Sequence, residues 1–187
     1  MKSEKDKMLA GELYDALDPV LVLERREARL LIQRLNQARE DDPAEQTAAL
    51  KALIPNAGPG LWIQPPFYCD YGYNIILGEK VFFNFNCVVL DVTYVQIGNR
   101  TLIGPNVQLY TATHPLDYKL RASGLENAMP VTIGEDVWIG GSVVVCPGVT
   151  IGDRSIIGAG SVVTKSIPED VFAAGNPCRV IRSLKNA

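Results

Sequence analysis

The sequence predicts a mainly β protein: a β-solenoid of short strands, preceded by an α-helical segment. Apolar residues recur every six positions between residues 77 and 163, and glycine directly follows many of them. Charge is uneven, because residues 1–55 hold 9 basic and 11 acidic residues whereas the much longer remainder holds 9 and 10. We therefore divide the chain into an N-terminal helical segment, residues 1–55, and a β-solenoid, residues 56–187.

The N-terminal segment is predicted to contain three helices. The first is indicated by Leu9, Leu13, Ala16 and Leu17, which follow one another at helical spacing. The second begins at Asp18-Pro19, a capping residue followed by a proline suited to the first helical position. Its mostly apolar stripe consists of Val20, Leu23, Glu27, Leu30, Leu31 and Leu35.

A third helix is predicted from Asp42-Pro43, which repeats the same start signal. The segment 55–66 is rich in proline and glycine and ends the helical region. Short amphipathic helices of this kind need a surface to pack on, and we expect the solenoid to supply it.

The solenoid is predicted from twelve apolar positions in a single six-residue register. They are Leu77, Phe83, Val89, Ile97, Ile103, Leu109, Ile133, Ile139, Val145, Ile151, Ile157 and Val163. Neither a helix nor simple strand alternation sustains this rhythm, and a β-sandwich would drift out of register. Three repeats make one triangular coil, so twelve predict four stacked coils. The glycines are expected at corners that need a positive φ.

The register is interrupted by one large insertion, residues 114–130, between two coils. Insertions in solenoids gather on the binding face, so this polar loop is a candidate functional element. Its first residue, His114, is the single histidine of the chain.

Composition excludes several classes of function. A net charge of −3 and a pI near 5.2 give no general attraction to nucleic acid or to an anionic membrane. No apolar run reaches the roughly 18 residues of a membrane span. The N-terminus lacks the apolar core of a signal peptide, so the expected location is the cytoplasm.

Metal and disulfide chemistry are not predicted either. One histidine cannot make a three-histidine zinc site within one chain. The four cysteines, Cys69, Cys87, Cys146 and Cys178, lie far apart and form no CxxC pair, so we expect buried free thiols.

The array IGEDVW-IGGSVV-VCPGVT-IGDRSI-IGAGSV-VTKSIP resembles the left-handed parallel β-helix of hexapeptide-repeat acyltransferases. The segments MLAGELYDALD, DYGYNIILGEKVFFNFNCVVLD, YTATHPLD, PVTIGEDVWIGG and GNPCRVIR are similar to the maltose and galactoside O-acetyltransferase group within that class. The resemblance spans nearly the whole chain. It implies the left-handed coil and transfer of an acetyl group from acetyl-coenzyme A (acetyl-CoA) to a sugar hydroxyl.

Such a transfer needs a base to take the proton of the attacking hydroxyl, and imidazole is suited to that task near neutral pH. The resemblance places the catalytic histidine at His114. It also assigns the oxyanion donors to the Asn84 side chain and the Gly141 amide. No second base is available to activate a serine, so direct transfer is the simpler mechanism.

The acceptor pocket is predicted around Asp70 and Asp91, which could accept hydrogen bonds from sugar hydroxyls. The resemblance adds Tyr14, Asp15 and Arg25 from the helical segment, although an ordinary surface role remains open for the last two. Ala16 and Val92 stand where the galactoside branch carries acidic acceptor contacts. Maltose or glucose therefore fits better than a galactoside.

The donor needs small residues beside its extended pantetheine arm and cations for its phosphates. Trp138 could pack against the arm. The contacts that the resemblance implies are Gly141, Ala159, Thr164, Lys165, Arg179 and Arg182. Lys185 lies in the same basic tail and could equally be a solvated surface charge.

Three alternatives stay open at this stage. The acceptor could be a lipo-oligosaccharide or a xenobiotic hydroxyl, and the chain could instead be a non-catalytic trimeric binding or assembly protein. A γ-type carbonic anhydrase has the same fold but requires more histidines than this chain carries. The resemblance further implies a homotrimer with active sites between subunits, His114 from one and Asn84 from the next.

Overall fold

The computed structural model describes residues 2–185. The first helix, α1 (Glu4–Leu9), begins at Ser3, whose side chain accepts a hydrogen bond from the Asp6 amide while the Asp6 carboxylate accepts one from the Ser3 amide. The prediction that this helix continues through Leu17 is wrong. The chain turns at Gly11, which has a φ of +72°, and then forms the short strand β1 (Tyr14–Asp15).

The second and third helices, α2 (Pro19–Gln37) and α3 (Pro43–Leu53), are confirmed with their starts. Asp18 and Asp42 cap them, each accepting backbone amide hydrogen bonds within the first turn. The face that α2 buries differs from the predicted stripe. It consists of Leu21, Ala28, Ile32 and Leu35, whereas Val20, Leu23 and Leu30 are exposed. The helix is apolar on two sides, and its packing on the solenoid and α3 selects one of them.

Three parallel sheets form the faces of the solenoid. The first face contains β4 (Ile75–Leu77), β7 (Val95–Ile97), β12 (Val131–Ile133) and β15 (Thr150–Ile151). The second contains β2 (Trp62–Ile63), β5 (Phe82–Phe83), β8 (Leu102–Ile103), β13 (Trp138–Ile139), β16 (Ile156–Ile157) and β18 (Val171–Ala174), with β19 (Arg179–Ser183) returning antiparallel at its end. The third contains β3 (Phe67–Cys69), β6 (Cys87–Leu90), β9 (Gln108–Tyr110), β14 (Val144–Val145) and β17 (Val162–Val163).

The predicted register is confirmed. All twelve apolar positions are buried, and they stack in three columns, one for each face. The first column, for example, pairs Leu77, Ile97, Ile133 and Ile151 in that order. The stack is longer than the four predicted coils. A further coil that includes β2 and β3 precedes it, and β18 continues it beyond Val163.

The glycines after the apolar positions do not have a positive φ, so that expectation is wrong. They allow the coils to pack closely instead. A Cβ added to Gly98 would lie 2.5 Å from the Glu135 nitrogen and 2.6 Å from the Gly134 carbonyl carbon, both in the next coil. The left-handed conformation occurs two residues further on instead. There the non-glycine residues Lys80, Asn86, Arg100, Asn106, Asp136, Ser142, Arg154 and Asp170 have positive φ.

One edge of the solenoid, between the first and second faces, carries a row of ion pairs between coils. Arg100 donates through Nη2 to Asp136 at 2.6 Å, and Arg154 donates through Nε to Asp170 at 2.6 Å. Both arginines contact a second carboxylate as well, Glu135 and Glu169 respectively. Residues at this edge are therefore committed to holding successive coils together.

The insertion, residues 114–130, contains α4 (Tyr118–Ala122) and β11 (Leu125–Ala128). Together with β10 (Ala112–Thr113), which directly precedes it, β11 forms an antiparallel hairpin. β11 lies between β1 and β10 in a three-stranded antiparallel sheet. A buried cluster that includes Met8, Tyr14, Val92 and Ala128 joins the N-terminal segment, the solenoid and the insertion.

The four cysteines are free thiols, three buried and Cys146 half-buried. Among residues 2–185, no helix is both long and apolar enough to cross a membrane.

The corner glycines give the first testable prediction. Gly98→Ala should lower the free energy of unfolding by about 2–3 kcal/mol, because the new methyl group overlaps backbone that cannot move aside. Urea unfolding measures the change. Gly124→Ala is the matched control: Gly124 has a φ of +84° with nothing within 4 Å, so only backbone strain of about 1 kcal/mol is expected. Equal destabilisation of the two variants would contradict the packing role.

Candidate active site

A cleft of about 330 Å³ lies where the insertion, the N-terminal segment and the solenoid meet. It is on the edge between the third and first faces. Its polar lining residues are Tyr14, Arg25, Arg29, Asp70, His114 and Glu126, and its apolar ones are Ala16, Leu17, Leu90, Val92 and Ala112. The structure therefore brings His114 together with three of the residues that the sequence assigns to acceptor binding, Tyr14, Arg25 and Asp70.

Asp91 is not a lining residue, although the sequence places it in the acceptor site. Its side chain is fully buried, and its two oxygens accept hydrogen bonds from the amides of Asp70, Tyr71 and Gly72 at 2.7–2.9 Å. Burial raises the pKa of the Asp91 carboxyl to about 7, against the lowering effect of these amides. The prediction that Asp91 contacts the acceptor is wrong, because its buried carboxylate binds the backbone amides of the turn that carries Asp70.

Asp70 itself is half-buried and faces the cleft. Within residues 2–185 its carboxylate accepts no hydrogen bond. Burial raises the pKa of this carboxyl, Arg25 and Arg29 lower it, and the nearby Glu126 carboxylate raises it. Asp70 is thus an acceptor group that a hydroxyl ligand could reach.

Tyr14 and Arg25 line the cleft but are held by other residues. The Tyr14 ring is fully buried, and its hydroxyl donates a hydrogen bond to Glu126 Oε2 at 2.9 Å. Burial, together with the Glu126 carboxylate, raises the pKa of Tyr14. Arg25 donates to the Tyr71 hydroxyl at 2.7 Å and to the Ala16 carbonyl oxygen. Both side chains support the walls of the cleft.

Asp15 lies outside the cleft lining. It is exposed, and its carboxylate accepts a hydrogen bond from the Leu17 amide at 2.8 Å. Sequence reasoning missed Arg29 and Glu126, which do line the cleft. Glu126 reaches the site only through the pairing of β11 with β1 and β10, a long-range register that no local pattern indicates.

His114 directly follows β10 and is exposed at the cleft. Its imidazole has no hydrogen-bond partner in the part of the chain that the structure describes. Asn127, on the neighbouring strand, has a buried side-chain oxygen that is likewise unpartnered among these residues.

A second cleft, of about 450 Å³, runs along the second face and its edge with the third. Asn84, Trp138, Gly141 and Ala159 all line it, together with Phe82, Leu102 and Phe172. The structure therefore brings together four of the residues that the sequence assigns to the donor and the oxyanion. Trp138 is 54% exposed and stacks in register between Leu102 and Ile156.

Two groups in this second cleft can donate hydrogen bonds. The side-chain oxygen of Asn84 accepts from the Phe85 amide at 2.8 Å, which leaves the Asn84 NH₂ group free to donate. The Gly141 amide donates to no acceptor within residues 2–185, and it lies one coil step above Gly104 at the same edge.

The remaining residues that the sequence assigns to the donor lie toward the C-terminal end of the solenoid. Thr164 and Lys165 are exposed just after β17, and Arg179 and Arg182 are exposed on β19. Arg182 also lies over the Phe172 ring, 5.9 Å from its centroid. The Lys185 ammonium is 3.8 Å from Asp170 and 4.0 Å from Glu169, so it belongs to the ion-pair edge.

His114 and Asn84 occupy different edges of one chain. Asp70 and Lys165 follow strands of the third face, and His114 follows β10 at the same edge, whereas Asn84, Gly141 and Ala159 follow strands of the second face. One chain therefore presents two clefts at different edges. No group of three or more potential metal ligands occurs among residues 2–185.

Comparison with known proteins identifies the family. Residues 7–58 match the maltose acetyltransferase hexapeptide capping motif, and residues 130–165 match six bacterial transferase hexapeptide repeats. Nodulation protein L of Rhizobium meliloti is 47% identical over 96% of this chain and 98% of its own length.

Two solved structures extend the similarity to the whole fold. A maltose O-acetyltransferase from Clostridium difficile is 48% identical, with a TM-score of 0.96 and 98% of each chain covered. A galactoside acetyltransferase in complex with coenzyme A is 40% identical, with a TM-score of 0.95, and the match covers 98% of this chain and 92% of that one. With the capping motif, the hexapeptide repeats and the complete fold in common, this chain belongs to the maltose/galactoside O-acetyltransferase family and is an acetyltransferase.

Proposed function

We propose that the protein transfers an acetyl group from acetyl-CoA to a hydroxyl of a glucose- or maltose-like sugar in the cytoplasm. The observation that carries this proposal is the position of His114 in a cleft beside the open Asp70 carboxylate. An imidazole can take a proton from a hydroxyl that the carboxylate holds in place. The coenzyme A complex of the galactoside acetyltransferase supports acetyl-CoA as the donor.

In the proposed mechanism His114 removes the proton of the acceptor hydroxyl as its oxygen bonds to the thioester carbonyl carbon. The Asn84 NH₂ group and the Gly141 amide donate hydrogen bonds to the oxyanion. The carbon–sulfur bond then breaks, and the protonated imidazole returns its proton to the coenzyme A thiolate. No covalent acetyl-enzyme and no metal ion are required.

The acceptor preference is proposed from the lining of the first cleft. Ala16 and Val92 are apolar residues at positions that are acidic in the galactoside branch, while Asp70 provides a carboxylate. This distribution favours a glucose- or maltose-like sugar. Leu17 is 76% exposed at the same cleft, so a hydroxyl acceptor with an apolar substituent is the alternative.

The donor is proposed to lie along the second cleft, with its pantetheine arm beside Trp138, Gly141 and Ala159. Its phosphates would meet the exposed cations Lys165, Arg179 and Arg182, with Thr164 beside them. The small residues at 141 and 159 leave the backbone accessible to an extended ligand.

A homotrimer is proposed because the two clefts lie on different edges of one chain. When three prisms pack side by side, an edge of one subunit meets a different edge of the next. His114 of one subunit can then approach Asn84 of its neighbour. The apolar row on the second face, with Trp62 62% and Leu102 48% exposed, supports burial of this face in an assembly.

The acceptor is tested by thiol release from acetyl-CoA with maltose, glucose, galactosides, alkyl glucosides, chloramphenicol and serine. We expect the highest kcat/KM with glucose or maltose. A preference for galactosides or chloramphenicol would overturn the acceptor assignment. Absence of thiol release with every compound would favour the binding or assembly protein.

His114→Ala should lower kcat by about 10²–10⁴-fold, the usual contribution of a general base. The fold should be unchanged, because His114 is exposed and its ring contributes no hydrogen bond to residues 2–185. Thiol release and circular dichroism measure the two effects. Near wild-type turnover would exclude His114 as the base.

Mixed assemblies test whether the site lies between subunits. Asn84→Ala and His114→Ala subunits, each nearly inactive alone, should regain activity when unfolded together and refolded as hybrid trimers. A hybrid with no more activity than either parent would place both residues in one subunit's site.

Arg179→Ala should raise KM for acetyl-CoA by about tenfold, the loss of one charge-assisted phosphate contact. The increase should be smaller for a donor without the 3′-phosphate. Lys185→Ala is the matched control, because the Lys185 ammonium group already forms ion pairs with the carboxylates of Glu169 and Asp170. An equal rise with both donors, or the same rise in the control, would remove the phosphate role.

A further inference from the structure

Glu126 occupies the central strand of the small sheet that carries His114. Its partner on β1 is Tyr14. On the other side, Ala112 pairs with Ala128 and Thr113 with Asn127. His114 directly follows the last of these pairs, and one further step of the same register would bring it opposite Glu126, in a row with Tyr14.

The lining of the cleft independently supports this row. Tyr14, Glu126 and His114 all face it, whereas the alternate positions Thr113 and Asn127 do not. Directly opposite residues on one face of an antiparallel pair have Cβ atoms about 4.5–5.5 Å apart. A glutamate carboxylate can reach an imidazole nitrogen over that span.

The Glu126 carboxylate is held at one oxygen and open at the other. Oε2 accepts the hydrogen bond from the buried Tyr14 hydroxyl at 2.9 Å. Oε1 accepts none from residues 2–185. The anchoring fixes the carboxylate in the cleft and leaves one oxygen available to an imidazole N–H.

We infer that Glu126 is a positioning residue for His114, accepting a hydrogen bond from one imidazole nitrogen so that the other faces the acceptor hydroxyl as the base. Tyr14 in turn positions Glu126. The inference rests on the proposed role of His114. The negative charge also stabilises the imidazolium that forms when the hydroxyl loses its proton.

Other charged groups from the surrounding elements line the same cleft as His114. They are Arg25 and Arg29 of α2 and Asp70 of the turn after β3. The two arginines lower the pKa of Asp70 and the Glu126 carboxylate raises it, and Asp70 belongs to the solenoid wall. Of the cleft carboxylates, Glu126 is the one that lies on the strand paired with β10, which His114 directly follows.

The single histidine allows a direct test, because the imidazole ¹⁵N signals of the untagged protein need no assignment. Wild-type His114 should show one dominant tautomer at high pH, and Glu126→Gln should show a mixture. Glutamine still accepts the Tyr14 hydrogen bond, so the variant should fold. Glu27→Gln is the matched control: Glu27 is exposed on α2 outside the cleft, and its removal should leave the ¹⁵N pattern unchanged.

Kinetics provide the second readout. In Glu126→Gln, kcat should fall by about tenfold or more while the acceptor KM changes less than about twofold. Glu126→Asp keeps the carboxylate and should recover part of kcat.

An unchanged ¹⁵N pattern in Glu126→Gln, or a loss confined to the acceptor KM, would overturn the inference and make Glu126 a substrate contact. The ¹⁵N measurement needs no turnover. It therefore separates failure of this inference from failure of His114 as the base, which the alanine variant reports.

Discussion

Close stacking of the coils is the constraint on which the rest of the structure depends. Successive strands lie about 4.8 Å apart, so every coil must repeat the path of the one below it. The twelve inward repeat positions carry apolar side chains, and the corner beside them accepts only glycine where the next coil's backbone lies within 3 Å of a Cβ, as at Gly98. The three edges of the prism have different roles.

Each edge has a distinct use. The edge between the first and second faces is tied by Arg100 and Arg154 to carboxylates of neighbouring coils. The edge between the second and third presents Asn84 and Gly141, free hydrogen-bond donors beside an apolar groove. The edge between the third and first is interrupted by the insertion, and His114 lies there. A rigid stack thus holds the two halves of the proposed site at separate edges, which a three-fold assembly can bring together.

The cleft that contains His114 forms where the regular stack is interrupted. The insertion would be an unsupported hairpin if β1 did not pair with β11, and β1 would have no partner without the insertion. Tyr14 and Glu126 of their small sheet line the cleft together with His114, which directly follows β10. Asp91, buried beneath the turn on the opposite wall, holds three amides and so fixes Asp70. The buried Asp91 carboxylate and the buried Tyr14 hydroxyl therefore hold two residues that line the cleft, Asp70 and Glu126.

The sequence by itself determined the solenoid, its register and the starts of α2 and α3, because these depend on local patterns: a six-residue repeat, a capping aspartate and a following proline. It also placed His114, Asn84 and the basic tail through the resemblance of short motifs. Only the tertiary structure decided which face α2 buries, that the chain leaves the helix after Leu9, that Asp91 supports a turn, and that Glu126 reaches the cleft. Each of these outcomes depends on a contact between residues far apart in the chain, and no local periodicity records such a contact.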